Sequence, residues 1–333
     1  MRARGLLLTA LLLGACASEA NSHSVSTPVS SSVGSTSATH TTVTATSATQ
    51  ATSAPAPATT TTSEPTTSAS NDSPAARPFD VYVPAGYDGS TAAPLVLLLH
   101  GYTVSNDVQE AYFQLEPLAD ERGFLYVHPQ GTTDSWGSSF WNATDGCCNF
   151  FGSPIDDSAY LASLITQVQS RYHVDPKRIY IVGHSNGGFM AYRMACDHAD
   201  TIAAIVSLAG ATYSDATECA PSHPVSVLQI HGTADGVIRY QGGQFVGAYP
   251  SATTTVQTWA EYDGCGRSPV QLETRRDLEG DIEGDDTTVS HFTDCPAGID
   301  VELWTINNGA HIPALSPTFA QQAIDFLFAH PKP

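Results

Sequence analysis

The chain has 333 residues, 41% of them apolar, with 33 acidic against 13 basic side chains and a net charge of −20. That balance disfavours nucleic acid and anionic lipid surfaces as partners and suits solubility outside a cell. The length leaves room for one enzyme-sized domain with a core of its own after a long N-terminal region.

Residues 1–16 read as a lipoprotein-type signal. Met1-Arg2-Ala3-Arg4 is a basic start, residues 6–13 are apolar apart from Thr9, and Leu13-Gly14-Ala15-Cys16 resembles a bacterial lipobox. Such a segment is too short to span a bilayer. Cys16 is therefore expected to carry a lipid, and membrane contact is expected only through that anchor, on a secreted or cell-surface protein. Residues 17–76 are Ser, Thr, Ala and Pro with almost no large apolar side chain. They cannot bury enough surface to offset their ordering entropy and should form a disordered tether, with an end-to-end distance on the order of 40 Å.

Residues 77–333 read as a single domain. Strands are expected at 79–83 and 95–99, the second a continuous apolar run like a strand buried on both faces. A helix over 108–122 and a strand over 124–128 follow. Residues 129–154, rich in Gly, Trp and Cys, form a connection long enough to suggest a functional role. A helix opens at Asp156 and Asp157, whose side chains suit its N-terminus. Next come strand 179–182, a helix beginning near Asn186, strands 202–208 and 225–230, helix 253–262, strand 301–306 and a closing helix 318–329. This alternation calls for an α/β domain with a doubly wound, mostly parallel sheet. The acidic run Asp277 to Asp286 is broken by glycines, fits no EF-hand spacing and reads as a solvated loop.

The chemistry starts at Gly183-His184-Ser185-Asn186-Gly187. A Gly-x-Ser-x-Gly between a strand and a helix is the context of a nucleophile elbow, in which the serine stands above the sheet edge beside the helix N-terminus. A serine hydroxyl needs a base, and the base needs an orienting acid. The loop after strand 225–230 supplies Asp235, and the loop after strand 301–306 supplies His311. The order Ser, Asp, His is that of an α/β-hydrolase. The rival histidines are poorer candidates, because His291 lies inside a predicted strand and His330 ends the closing helix. The Asn186 N–H, with that of Tyr102 or Thr103, should form the oxyanion hole. His184 is a candidate for substrate contact or for a plain helix-start role. Trp136 and Trp141 are candidates either for stacking on substrate or for packing the long loop onto the sheet.

Apart from Cys16 there are six cysteines, an even number that suggests disulfides in an exported chain. Cys265 and Cys295 flank the acidic run and are expected to pair. Cys147 and Cys148 are then expected to bridge separately to Cys196 and Cys219. No Cys-x-x-Cys or His-Glu-x-x-His marks a metal centre.

The motifs Leu99-His100-Gly101, Trp141-Asn142-Ala143 with Gly146-Cys147-Cys148, Asp156-Asp157, Gly183 to Gly188, His231 to Asp235 and Gly309-Ala310-His311 together resemble the polyhydroxybutyrate depolymerase-like esterases. These are related to the feruloyl and acetylxylan esterases of carbohydrate esterase family one. The resemblance implies an α/β-hydrolase fold, a Ser185, Asp235, His311 triad and no cofactor. The expected partner is an ester oligomer or polymer, and the protein is expected to be a monomer. Many members carry Cys where this chain has Tyr102, and Trp where it has Ile312, both at the acyl pocket. The expected activity is that of an exported serine esterase on 3-hydroxybutyrate-type polyester or oligoester. Feruloyl or acetylxylan ester hydrolysis is the alternative. A peptidase on the same fold is not expected, because no propeller or lid domain precedes the hydrolase core, and a non-catalytic surface lipoprotein that binds carbohydrate or polymer has no need of three catalytic groups.

Overall fold

The apolar run Ala93–Leu99 becomes strand β1 with every residue buried, in a computed structural model that describes residues 77–333. Residues 1–76, with the signal segment, Cys16 and the tether, lie outside the described residues. Helices α1 (Asn106–Phe113) and α2 (Glu116–Arg122) lead to the short strand β2 (Leu125–Val127). A continuous helix over 108–122 is expected from the sequence, but the chain breaks it at Gln114, which takes a left-handed φ of 55°. Pro117 then sits in the first turn of α2, where its missing N–H has no acceptor to leave unfilled. The strand expected at 79–83 is reduced to one bridge, Tyr82 to Tyr126. A single edge contact is all that pairs there.

Two small strands, β3 (Thr132–Thr133) and β4 (Ser139–Phe140), lie in the long loop before helix α3 (Asp157–Arg171). Strand β5 (Val174–His184), helix α4 (Asn186–Asp197), strand β6 (Ala204–Leu208) and strand β7 (Ser226–Gly232) follow. The rest comprises β8 (Gly243–Gln244), β9 (Ala248–Tyr249), α5 (Ala252–Tyr262), β10 (Pro269–Arg276), β11 (Thr287–Phe292), β12 (Val301–Ile306) and α6 (Phe319–Ala329). The eight-stranded sheet runs β10-β11-β12-β7-β6-β5-β1-β2. All pairs from β12 to β2 are parallel, and β10–β11 and β11–β12 are antiparallel. This is the expected α/β-hydrolase arrangement with an antiparallel extension at one edge.

Both faces of the sheet are covered. Leu95, Leu97, Ile179, Ile181 and Ile205 pack on one side with α3, α4 and α5. Val96, Leu98, Tyr180, Val182 and Val206 pack on the other with α6. Each such aliphatic side chain contributes about 1.5–3 kcal/mol by leaving water.

Two expectations are corrected here. Cys265 pairs with Cys295, but Cys147 pairs with its neighbour Cys148, and Cys196 with Cys219. The Cys147 carbonyl lies at Asn186, the first residue of α4, and Cys196 stands ten residues further along that helix. At about 1.5 Å per residue this is roughly 15 Å, beyond the Cα reach of a disulfide. The acidic run is not simply a solvated loop. Leu278, Glu279 and Asp286 are buried, and the Asp286 carboxylate accepts the N–H groups of Leu278 and Glu279.

Candidate active site

Strand β5 ends at His184 and α4 starts at Asn186, so Ser185 forms the turn alone, with φ 54° and ψ −119°. An L-residue holds that conformation only where its surroundings enforce it. A Cβ on Gly187 would lie 2.1 Å from the Leu99 carbonyl oxygen, and one on Gly183 2.1 Å from that of Gly187. Both positions therefore require glycine, and their close contacts lock the elbow against the end of β1. The Ser185 N–H donates to the Leu208 carbonyl at 2.8 Å, which ties the turn to the neighbouring strand.

His311 reaches Ser185 from the turn after β12. Its Nε2 lies 2.9 Å from Ser185 Oγ, and its Nδ1 lies 2.7 Å from Asp235 Oδ2. The Asp235 Oδ1 accepts the N–H groups of Val237 and Ile238, at 2.8 and 2.9 Å. Burial pushes this carboxyl up, but the hydrogen bonds from His231 and His311 and the attraction of His311 outweigh it and hold the carboxyl well below its usual range. The acid thus stays ionised and fixes Nδ1–H of His311, leaving Nε2 to accept the serine proton. His291 and His330 are placed beside Asp300, at 4.0 and 3.7 Å, not beside Ser185.

The two proposed oxyanion donors of the first loop separate. The Thr103 N–H donates to the Ser139 carbonyl at 2.8 Å and is already used. Among the described residues the Tyr102 N–H donates to none, and Tyr102 lines the pocket with Ser185. Gly101 lies close enough that a Cβ on it would be 3.5 Å from Ser185 Cβ. Asn186, as the first residue of α4, has a backbone N–H without an intrahelical acceptor.

Its side chain does other work. Asn186 Oδ1 accepts the Trp141 N–H at 2.7 Å, and its Nδ2 donates to the Trp141 and Cys147 carbonyls. Trp141 is fully buried and its indole N–H donates to the His100 carbonyl, so it packs the long loop. His100 is buried and held down to about 4, chiefly by desolvation. Its Nε2 accepts the Gly131 N–H. Asp156 caps α3 through the Ala159 N–H, while buried Asp157 pairs with Arg77 and accepts the Asn142 N–H. The long loop is thus pinned at 131, 141, 142 and 147.

His184 lines the pocket, and its ring N–H is already used. Its Nε2–H donates to the His311 carbonyl at 3.0 Å. Burial, then the neighbouring His311, pushes its ring down to about 4, so it is neutral at ordinary pH.

Beside Ser185 lies a cavity of about 190 Å³, walled by Tyr102, the Cys147–Cys148 pair, Ile238, Phe245 and Ile312. An aromatic rim continues outward from it. Phe150 packs against Tyr102, Phe245 and Trp136 at centroid distances of 5.2, 5.5 and 6.4 Å, and Trp136 meets Phe151 at 4.6 Å. Trp136 is 72% exposed. Of the nine exposed large apolar side chains among the described residues, six (Trp136, Phe150, Phe151, Val237, Phe245 and Ile312) belong to this cavity or its rim. No spacing in the sequence marks the three phenylalanines, and the His231 to Asp235 motif does not by itself show that the His231 ring lies against the Asp235 carboxylate, at 3.3 Å.

A parallel sheet with a strained serine at a strand-to-helix turn, and with aspartate and histidine at later strand ends, defines an α/β-hydrolase. The chain belongs to the family described as Esterase PHB depolymerase, whose family model matches residues 78–269. Feruloyl esterase B of Piromyces equi is 31% identical over 240 residues, covering 69% of this chain and 42% of that protein. The bifunctional acetylxylan esterase/xylanase XynS20E of Neocallimastix patriciarum is 32% identical over 167 residues, covering 50% of this chain and 22% of that protein. The chain thus spans less than half the length of either relative. Among solved structures, the acetyl xylan esterase from Aspergillus awamori superposes with a TM-score of 0.54 at 16% identity, over 75% of this chain and 93% of that one. It shares the fold.

Proposed function

We propose that this chain is a carboxylic ester hydrolase working through an acyl-enzyme on Ser185, with hydrophobic polyesters or oligoesters of the 3-hydroxybutyrate type as its substrates. The observation that carries the reading is the 2.9 and 2.7 Å chain from Ser185 through His311 to Asp235 beside an apolar cavity. In the first half-reaction the Ser185 oxygen bonds to the ester carbonyl carbon as its proton passes to His311 Nε2. The carbonyl oxygen becomes an oxyanion facing the Asn186 and Tyr102 N–H groups. Collapse breaks the bond to the alcohol, which takes the proton from His311. Water then repeats the sequence against the acyl-serine and releases the acid and free Ser185.

The exposed aromatic rim supports a hydrophobic substrate, because apolar surface gathered at one mouth gains by being covered. The second reading, a feruloyl or acetylxylan esterase, is favoured by the names of the relatives and by the exposed Trp136 indole, which could stack on a ring. Export, a lipid at Cys16 and a monomeric state complete the proposal. The paired cysteines support the export. Purified protein should hydrolyse 3-hydroxybutyrate oligomers faster than feruloyl or acetylated sugars and should be labelled at Ser185 by a fluorophosphonate. Failure to label refutes the enzyme, and the opposite substrate order installs the second reading.

A further inference from the structure

The turn that carries His311 is held from both flanks by the acidic segment between β10 and β11. Upstream, Asn307 donates both its backbone N–H and its side-chain Nδ2 to the Asp286 carbonyl, at 3.1 and 2.6 Å. Downstream, the Ala314 N–H donates to Glu279 Oε1 at 2.8 Å, and the Gly280 N–H returns to the Ala314 carbonyl at 2.6 Å. The Ser316 N–H continues the pairing to the Leu278 carbonyl. The Asp286 carboxylate accepts only from within or beside its own segment, from Leu278, Glu279 and Thr287. Glu279 is therefore the charged side chain that crosses from the acidic segment to the turn. It is buried, and its second contact is to the Asp281 N–H at 3.4 Å. Two neutral contacts complete the hold, His184 Nε2–H on the His311 carbonyl and Tyr112 O–H on the Pro313 carbonyl.

We propose that Glu279 is a positioning residue for the base: its carboxylate oxygen fixes Ala314, three residues past His311, and so sets the distance from His311 Nε2 to Ser185. The proposal rests on the reading of Ser185, Asp235 and His311 as a catalytic triad. The imidazole must keep one edge on Asp235 and the other on the serine, and a shift of about 1 Å in such an arrangement can cost about a hundredfold in rate. What the turn needs from position 279 is an acceptor at the right reach. Charge is secondary, because the partner is a neutral N–H.

The test separates reach from charge. Glu279→Gln keeps the reach and loses the charge, Glu279→Asp keeps the charge and falls one methylene short, and Glu279→Ala loses both. Each is assayed with p-nitrophenyl butyrate well below its melting temperature, using the burst amplitude to count active sites and the burst rate to measure acylation per site. Glu279→Gln is expected within about twofold of wild type. Glu279→Asp is expected to acylate about threefold more slowly and Glu279→Ala about tenfold more slowly, with KM little changed. A role confined to stability would lower the number of sites or the melting temperature and leave the rate per site intact, which overturns the proposal. Glu279→Asp matching wild type while Glu279→Gln falls also overturns it. If Glu279→Ala does not fold, the Gln and Asp pair decides. A wild type that shows no burst and no fluorophosphonate labelling removes the triad reading as well, whereas an active wild type with indifferent Glu279 variants removes only the positioning role.

Discussion

Replacing Asp235 by Asn tests the site through one atom. In the wild type Oδ1 accepts the Val237 and Ile238 N–H groups while Oδ2 faces His311 Nδ1. The amide introduced at this position can satisfy the two backbone donors only with its oxygen where Oδ1 stood. Its NH₂ then points at His311 and donates to Nδ1, which places the imidazole proton on Nε2, facing Ser185. That tautomer cannot accept the serine proton, a defect worth about 10⁴-fold where it is complete. Turning the amide over restores the tautomer but aims NH₂ at two N–H groups. With each buried N–H left without an acceptor costing about 1–3 kcal/mol, the turned form costs roughly 2–6 kcal/mol. At about 1.4 kcal/mol per decade it is populated at about one part in 30 to one part in 10⁴. His231 does not reverse this preference, since its Nε2–H also donates to the Ile238 carbonyl at 2.7 Å. Asp235→Asn should therefore lower kcat/KM on p-nitrophenyl butyrate by about 30- to 10⁴-fold and slow fluorophosphonate labelling in parallel, with KM little changed. A variant within tenfold of wild type would show that Asp235 does not set the His311 tautomer.

Further expectations concern the nucleophile, one buried acid and one disulfide. Ser185→Ala should lower kcat by about 10⁴-fold or more with an unchanged circular dichroism spectrum, and retention of a tenth of the activity excludes Ser185 as nucleophile. Asp263 is buried, accepts the Val225 N–H on Oδ1 and leaves Oδ2 unpartnered; burial pushes its carboxyl up to about 7 from 3.8. Between about pH 4 and 7 the unfolded chain releases a proton that the folded domain keeps, so stability should fall as pH rises through this window, by up to about 4 kcal/mol. Asp263→Asn should melt higher than wild type at pH 8 and close to it at about pH 3.5, below the unfolded carboxyl's range; equal melting at both pH values contradicts the raised carboxyl. Removing the Cys265–Cys295 bridge, which closes a separation of 30 residues, should cost about 3–4 kcal/mol and lower Tm by roughly 10 °C. An unchanged Tm, or free thiols in the denatured, unreduced wild type, would count against this bridge.

The order of strands and the three residues of the site were legible because each is encoded locally. Val96 to Leu99 and Ile179 to Val182 are apolar runs of strand length, Val301 to Ile306 is apolar at four of its six positions, and Ser185, Asp235 and His311 fall within a few residues of a strand's end. In a parallel sheet all those ends lie on the same edge, so topology alone brings the three side chains together. What the sequence did not reveal depends on contacts between loops. The Cys147–Cys148 pair follows from where α4 starts, and the Thr103 N–H is lost to Ser139 through the path of the long loop. The Phe150, Phe151 and Phe245 rim joins residues almost a hundred positions apart, with no periodicity between them. Glu279 was hidden for another reason: an acidic run rich in glycine has the composition of a solvated loop, and only its antiparallel contact with Leu315 reveals the buried carboxylate.

The histidines flanking the site show how composition near a motif can mislead. His184 adjoins the serine and His100 adjoins Gly101 of the oxyanion loop, and either is close enough in sequence to pass for a second base. Both are buried and driven to about 4, mainly by desolvation, so both stay neutral where the enzyme chemistry runs. A charged ring at position 184, 5.2 Å from His311, would oppose the imidazolium that forms when Ser185 gives up its proton. Kept neutral, His184 supplies an N–H to the His311 carbonyl, and His100 supplies an acceptor to Gly131 and a carbonyl to Trp141. The developing positive charge is thereby confined to one ring, and that ring lies against the ionised Asp235. The two neutral histidines hold backbone in place, and in the proposed mechanism the triad alone carries the charge separation on which acyl transfer depends.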